Sequence, residues 1–355
     1  MNKDLLYKEL EEWYEVNHRI LPWRETDDPY KIWISEIILQ QTRVAQGMEY
    51  YHRLITRFPD IQSLADAEED EVLLYWQGLG YYSRARNLHK AAQLMKNHEI
   101  FHLSNVECLK LKDEEIFAAL KSMPGVGDYT AGAIASFAFD LPYPALDGNV
   151  YRVLSRLYDC EIAFDTTEGK KHFRQLAENL LDREHPRLFN SAIMELGALH
   201  CVPTAPDCST CPLNTWCKAL ANNTVELLPV RKPRPKVRDR YLEYTIYITP
   251  EKTTLIHQRK GNDIWKHLYE FPVQEIHSLE DAHSGFSLKF KDRKFLDLTH
   301  VLSHQKLHAR FVIKNVSELP EIPDTVVVSL SDLDNYAFSR LTLNAIEQLL
   351  IPHHS

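Results

Sequence analysis

Residues 120–131 read LKSMPGVGDYTA, and this stretch decides the fold. Pro124-Gly125-Val126-Gly127 interrupts text that is helical on both sides. Glycine admits left-handed backbone and lets a ligand come close to the chain. Successive N–H groups at the start of the second helix can then hold a phosphate. An isolated Gly-x-Gly carries little weight, since an ordinary interhelical turn also uses it. Between two helical segments it predicts a helix–hairpin–helix, with Gly125 and Gly127 gripping a DNA backbone without reading its sequence. Asp128 is expected to cap the helix from Tyr129 to about Phe139.

Outward from this hairpin, residues 1 to about 222 repeat apolar residues at helical spacing, as in Ile32, Ile37, Ile38 and Leu39. Asp28-Pro29 places a cap before a proline at the first helical position. The texture changes at VELLPVRKPRPKVRDR (225–240), where three prolines and six basic residues predict an extended basic linker. Beyond it YLEYTIYIT, TTLIHQR, SLKFK, KLHARFVIK and TVVVSL read as strands, and a helix from about Ser339 to Leu350 closes the chain. The expected organisation is an all-α domain over 1–224, a linker over 225–240 and a small α+β domain over 241–355. With 355 residues, 44% hydrophobic and 26% charged, the chain is long enough for two buried cores. The net charge of −9 excludes a globally basic nucleic-acid binder, so any such surface is local. No apolar run spans a membrane and no signal-peptide core opens the chain, so a cytoplasmic location is expected.

Four of the six cysteines crowd together as Cys201-VPTAPD-Cys208-ST-Cys211-PLNTW-Cys217. In a reducing compartment such a group reads as a metal site. Four thiolates can hold tetrahedral zinc or an iron–sulfur cluster. Zinc ribbons pair two short knuckles and only one is present here, which favours a 4Fe-4S cluster. No flavin or nicotinamide fingerprint accompanies it, so a structural or DNA-docking role is expected. Cys108 and Cys160 read as small buried hydrophobes.

Two carboxylates stand out. Asp147 precedes a new helix twenty residues past Gly127, where capping is its ordinary role. Near a phosphate-gripping turn it can also face a sugar carbon and stabilise positive charge there. Glu36 lies in KIWISEIILQQT, a helix apolar nearly all round. Burial would raise its pKa and make it a general acid. The alternative is a polar-edge glutamate paired with Arg19, Arg24 or Arg43. One carboxyl kept protonated by burial and another kept ionised by a polar site is the logic of a two-carboxylate glycosidase.

Together the hairpin, the following aspartate and the cysteine loop resemble the endonuclease III superfamily of DNA glycosylases. Within it, LPWR (21–24), SEIILQQTRV (35–44), GLGYYSRARN (78–87), PGVGDYTAGA (124–133), DGNVYRVLSR (147–156) and the cysteine spacing are similar to the MutY-type adenine DNA glycosylases. That similarity covers roughly residues 1–220, and the C-terminal part resembles the family's Nudix-like domain more loosely. The resemblance implies a helical glycosylase domain with a cluster loop, a Nudix-like domain, and duplex DNA with 8-oxoguanine opposite adenine as substrate.

It further implies that Glu36 protonates the adenine ring, that Asp147 stabilises the sugar cation and that Asn149 orients the reacting groups. Tyr129 stands where bifunctional relatives carry a lyase lysine, so hydrolysis without strand cleavage is expected. A bifunctional pyrimidine-lesion glycosylase and a catalytically silent lesion binder are the competing readings. Arg19, Trp23, Arg24 and Leu39 match the pocket around the flipped adenine, with Ser191 departing from the family's acid or amide. Gln41, Thr42 and Tyr81 match residues that fill the gap beside 8-oxoguanine. Ser303 and His304 match the lesion-reading loop, in which Leu302 replaces an aromatic. WKHLYEFP (265–272) resembles a strand of the second domain, and no Nudix hydrolase signature is present. A monomer is expected.

Overall fold

Asp28 and Pro29 start the helix that the rest of the N-terminal fold surrounds. The Asp28 carboxylate accepts from the N–H groups of Tyr30 (2.9 Å) and Lys31 (3.3 Å), and Pro29 needs no partner for a missing N–H. Such a cap stabilises a helix by about 1 kcal/mol. From Pro29 to Leu39 nearly every side chain is buried, as expected of a helix that is apolar on all faces. The computed structural model describes residues 2–102, 111–233, 237–279 and 295–350. Cys108 and the expected strand SLKFK (287–291) lie outside the described residues. Contacts divide the chain into two compact units, residues 1–65 with 90–233, and residues 66–89 with 234–355.

All regular elements described in the first unit are helical. Helices Asp113–Ser122 and Asp128–Phe139 flank the hairpin as expected. The second is capped differently from the sequence reading. Gly127 is its N-cap, while Asp128 is its first residue and pairs with Lys121 and with Arg174 (2.9 Å). Helices Gly148–Tyr158, Thr167–Leu180 and Pro186–Leu199 share a core with Lys3–Asn17 through Leu6, Leu10, Leu154, Phe173 and Leu196. Each such side chain contributes roughly 1.5–3 kcal/mol by leaving water. Cys160 is buried, as expected.

The second unit carries strands β1 (Arg238–Ile248), β2 (Thr253–Gln258), β3 (Tyr269–Glu270), β4 (Val273–Ile276), β5 (Phe295–Val301), β6 (Gln305–Asn315) and β7 (Thr325–Ser329). They form two sheets, ordered β4-β1-β6-β5 and β3-β2-β7. β1 and β6 run parallel, with Tyr244 opposite Phe311 and their rings stacked at 4.5 Å. Helix Arg340–Leu349, capped by Ser339, adds Leu341 and Ile346 to the core. The strands of WKHLYEFP and of 295–301 differ from the sequence reading. The former is mostly loop, with only Tyr269–Glu270 paired, and the latter is β5.

Residues 66–89, read in the sequence as part of the helical domain, group with the C-terminal strands instead. Gln77 accepts from the Phe338 N–H (2.7 Å), Tyr82 donates to the Phe338 carbonyl (3.2 Å) and Asp70 accepts from the Tyr269 hydroxyl (3.0 Å). The basic stretch 225–240 is also less free than a tether. Arg156 holds the carbonyls of Val225 and Leu228, Asp165 holds the Lys232 N–H, and Arg238 already belongs to β1.

Candidate active site

At the hairpin, Gly125 takes φ +80°, a backbone that side-chain-bearing residues rarely adopt. Gly127 is different. Its φ of −88° suits any residue, and a Cβ there would meet nothing within 4 Å. Among the described residues nothing demands a glycine at 127. The bare backbone leaves the N-terminus of helix Asp128–Phe139 open to a group from outside.

Two residues past Gly127, Tyr129 donates its hydroxyl to Glu36 Oε2 at 2.6 Å. Glu36 is 1% exposed. The burial reading holds and the polar edge is not found, although Arg24 Nη1, one of the three arginines named for pairing, lies 3.7 Å away. Burial pushes its pKa up, against the opposing influence of Arg24 and the Tyr129 hydroxyl, and nearby Asp147 adds to the rise. Its second oxygen, Oε1, makes no hydrogen bond among the described residues, nor does Arg24 Nη1. An unsatisfied buried polar atom costs about 1–3 kcal/mol, so a polar group or water reaching this pair would be stabilising.

Asp147 is the N-cap of helix Gly148–Tyr158. It accepts from the Val150 N–H at 2.7 Å and from Asn149 Nδ2 at 2.9 Å. The site expected to keep Asp147 ionised does supply polar partners, but it too is buried. Burial raises Asp147 as well, opposed by the Val150 and Asn149 bonds and by Arg152. The difference between the two acids lies in their partners. Asp147 sits at the positive end of a helix with donors to both oxygens, whereas Glu36 has one donor and an orphaned oxygen.

Asn149 is itself held. Its Oδ1 accepts from Arg152 (2.9 Å), and Arg152 also donates to the carbonyls of Cys201 (2.7 Å) and Gly197. Gly197 lets helix Pro186–Leu199 touch this turn, since a Cβ there would lie 2.7 Å from Asn149 Cβ. Sequence reasoning missed Arg152 and Gly197, because neither has a local signature.

A cavity of about 180 Å³ in the same unit is lined by Tyr14, Trp23, Arg24, Phe137, Arg187 and Ser191, among others. Arg24 lies 3.7 Å over the Phe137 ring. Of the four expected pocket residues, Trp23 and Arg24 line this cavity and two do not. Arg19 is committed to Glu195, with Nε at 2.6 Å and Nη2 at 2.8 Å from its two oxygens. Leu39 instead lies against Gly47, where an added Cβ would come within 2.9 Å of it. Gln41 is exposed at φ +59°, and the Thr42 N–H closes the helix end on Leu39.

Cys201, Cys208, Cys211 and Cys217 line one cavity together with Arg156. Arg156 donates to Cys201 Sγ (3.3 Å) and to the carbonyls of Val202 (2.8 Å) and Pro203 (3.0 Å). Burial pushes the Cys211 thiol up to about 12 and raises Cys208 and Cys217 also. Among the described residues no three His, Cys, Asp or Glu side chains are set to ligate a single metal ion.

The second unit has its own cavity, of about 430 Å³, lined by Tyr81, Trp265, His300, Leu302, Ser303 and His304, among others. Tyr81 projects from a left-handed turn with φ +48°, between Gly80 at +79° and Tyr82. Trp76 Nε1 (3.0 Å) and Arg84 (3.2 Å) both bond the Gly80 carbonyl and fix the turn. Ser303 and His304 form the tip of the β5–β6 hairpin, with Ser303 Oγ 3.2 Å from His304 Nδ1.

Residues 34–182 match the model of the HhH-GPD superfamily of base excision DNA repair proteins, and residues 243–348 match a NUDIX domain. The adenine DNA glycosylase of Buchnera aphidicola subsp. Baizongia pistaciae is 39% identical over 316 residues, covering 86% of this chain and 84% of that one. Its counterpart from Buchnera aphidicola subsp. Schizaphis graminum is 34% identical over 311 residues, covering 86% of each. The chain belongs to the adenine DNA glycosylase family. A solved thermostable thymine-DNA glycosylase shares the fold, with a TM-score of 0.53 and 24% identity over 62% of this chain and 97% of that one. The helix–hairpin–helix and Nudix-like expectations are thereby met. Within this family fold, the hairpin supplies Tyr129 to Glu36, and the helix after it in the chain supplies Asp147.

Proposed function

We propose that this chain hydrolyses the N-glycosidic bond of adenine mispaired with 8-oxoguanine, or with guanine, as a monofunctional glycosylase of base excision repair. The observation that carries this reading is the buried acid Glu36, with one oxygen bound by Tyr129 and the other orphaned beside Arg24.

An adenine flipped from the duplex would take its proton from Glu36 on a ring nitrogen. The bond from the sugar's anomeric carbon to the base nitrogen then breaks, and its electron pair leaves with the base. The Asp147 carboxylate stabilises the cation left on the sugar until water adds and gives up its own proton to a carboxylate. Two nearby carboxyls in a dry site favour sharing one proton. The donors around Asp147 favour the charge there and leave the proton on Glu36. Tyr129 has no amine to form a Schiff base, so no strand cleavage follows.

The lesion-side reading rests on Tyr81, Ser303 and His304 lining one cavity of the second unit. Gln41 and Thr42 are assigned to the gap beside the lesion by family similarity alone. Duplexes with 8-oxoguanine or guanine opposite adenine should release adenine, with strand breaks only after alkali. A duplex with 8-oxoguanine opposite cytosine should be left intact. Breaks without alkali, or no free base at all, would overturn the reading.

Two further expectations arise here. Tyr129→Phe removes a hydrogen bond that lowers the Glu36 pKa. The alkaline limb of single-turnover base release should therefore move to higher pH, and a shift to lower pH would contradict the assignment. Four soft thiol donors lining one cavity support a 4Fe-4S cluster held by Cys201, Cys208, Cys211 and Cys217. When bound, such a cluster supplies a fold-stabilising crosslink of the loop. The purified protein should be yellow-brown with about four irons per chain. A colourless preparation with one zinc would refute the cluster.

A further inference from the structure

The 430 Å³ cavity of the second unit has a wall that the reading above does not use. Trp265 and His300 both line it, their rings 5.7 Å apart at 62°. Trp265 has φ +58°, a backbone conformation that is an outlier for a bulky residue and costs of the order found at functional sites. The surrounding loop over-determines it. The Trp265 carbonyl accepts from Leu268 (3.0 Å), Arg259 Nε bonds the Ile264 carbonyl (3.0 Å), and Arg86 Nη1 bonds the Lys266 carbonyl (2.7 Å). Asp263 is clamped by Arg240 (2.9 Å) and Arg259 (3.0 Å). Tyr81, which lines the same cavity, is likewise held at positive φ.

Two aromatic side chains are thus fixed in unfavourable backbone so that both line one cavity of a size that takes a small ligand. The cavity is also lined by Ser303, His304 and the cationic Arg340. We propose that Trp265, backed edge-to-face by His300, is a specificity-determining residue on the lesion side, its indole packing on the oxidised purine. It supplies the aromatic surface that Leu302 does not. This rests on the proposed reading of 8-oxoguanine in this cavity.

The full-length protein should be tested as wild type, Trp265→Ala, Trp265→Phe and His300→Ala. The probes are duplexes bearing a non-cleavable adenine analogue opposite either 8-oxoguanine or guanine, with a melting curve for each variant. Wild type should bind the lesion duplex more tightly than the guanine duplex. Trp265→Ala should weaken lesion binding about 10- to 100-fold and leave guanine-duplex binding within about 2-fold. Trp265→Phe should restore most of the loss, and His300→Ala should fall between. An unchanged lesion-to-guanine ratio in Trp265→Ala overturns the role of Trp265 while leaving lesion recognition standing. An equal loss on both duplexes, which a merely structural tryptophan would give, also overturns it. Absence of any lesion preference in wild type overturns the reading of the cavity and this proposal together.

Discussion

Asp147→Asn is expected to slow base release by roughly 10²–10³-fold or more, the scale on which a single electrostatic stabiliser of a transition state acts. Binding to a mispaired duplex should stay within a few-fold, and the melting temperature should hardly move. Asparagine is as good an N-cap as aspartate, so the bond from the Val150 N–H (2.7 Å) has a replacement acceptor. What disappears is the negative charge beside the developing sugar cation. Asp147→Ala would also remove the cap and cost about 1 kcal/mol of stability, so asparagine is the cleaner test. Single-turnover release of adenine, measured beside duplex binding and thermal melting, separates these effects. A variant that turns over at the wild-type rate would remove Asp147 from the chemistry, and one that fails to melt cooperatively would show that the cap matters more than the charge.

Glu36→Gln is expected to lower single-turnover release by about 10²–10⁴-fold, the usual contribution of a positioned general acid. The active form of Glu36 is protonated, and burial raises its pKa. Wild-type release should therefore decline as pH rises through that raised value, and it should also fall at low pH as Asp147, itself raised by burial, takes up a proton. Glutamine keeps an oxygen to accept from Tyr129 but has no proton to give, so the variant should be slow and lack this alkaline limb. Stability should stay level or improve, because an uncharged amide replaces a buried carboxyl with an unsatisfied oxygen. The pH–rate profile of both proteins under single-turnover conditions decides the matter. If the same limb persists in Glu36→Gln, another group titrates and Glu36 is not the acid.

Several features of this protein are legible in short windows. The Asp28-Pro29 helix start, the glycine turn at 125–127, the burial of the helix around Glu36 and the four-cysteine spacing each span fewer than twenty residues. Local rules of capping, periodicity and ligand chemistry suffice for them. The same rules misread Asp128. Its spacing suits a cap, but Lys121 and Arg174 offer charge partners, and the Gly127 backbone closes the helix unaided.

By itself, then, the sequence determined which segments are helices, where the hairpin turns and which four cysteines come together around one cavity, because these follow from neighbours along the chain. Tertiary structure alone decided what each acid touches. Glu36 meets Tyr129 across 93 positions, and Asn149 reaches Cys201 through Arg152. Arg19 turns to Glu195 instead of the cavity, and residues 66–89 join the C-terminal strands. Such pairings depend on how buried faces pack in three dimensions, and a one-dimensional pattern leaves many partners equally plausible for a buried charge. Packing selects the partner that satisfies that charge, and at Glu36 it leaves one oxygen unsatisfied.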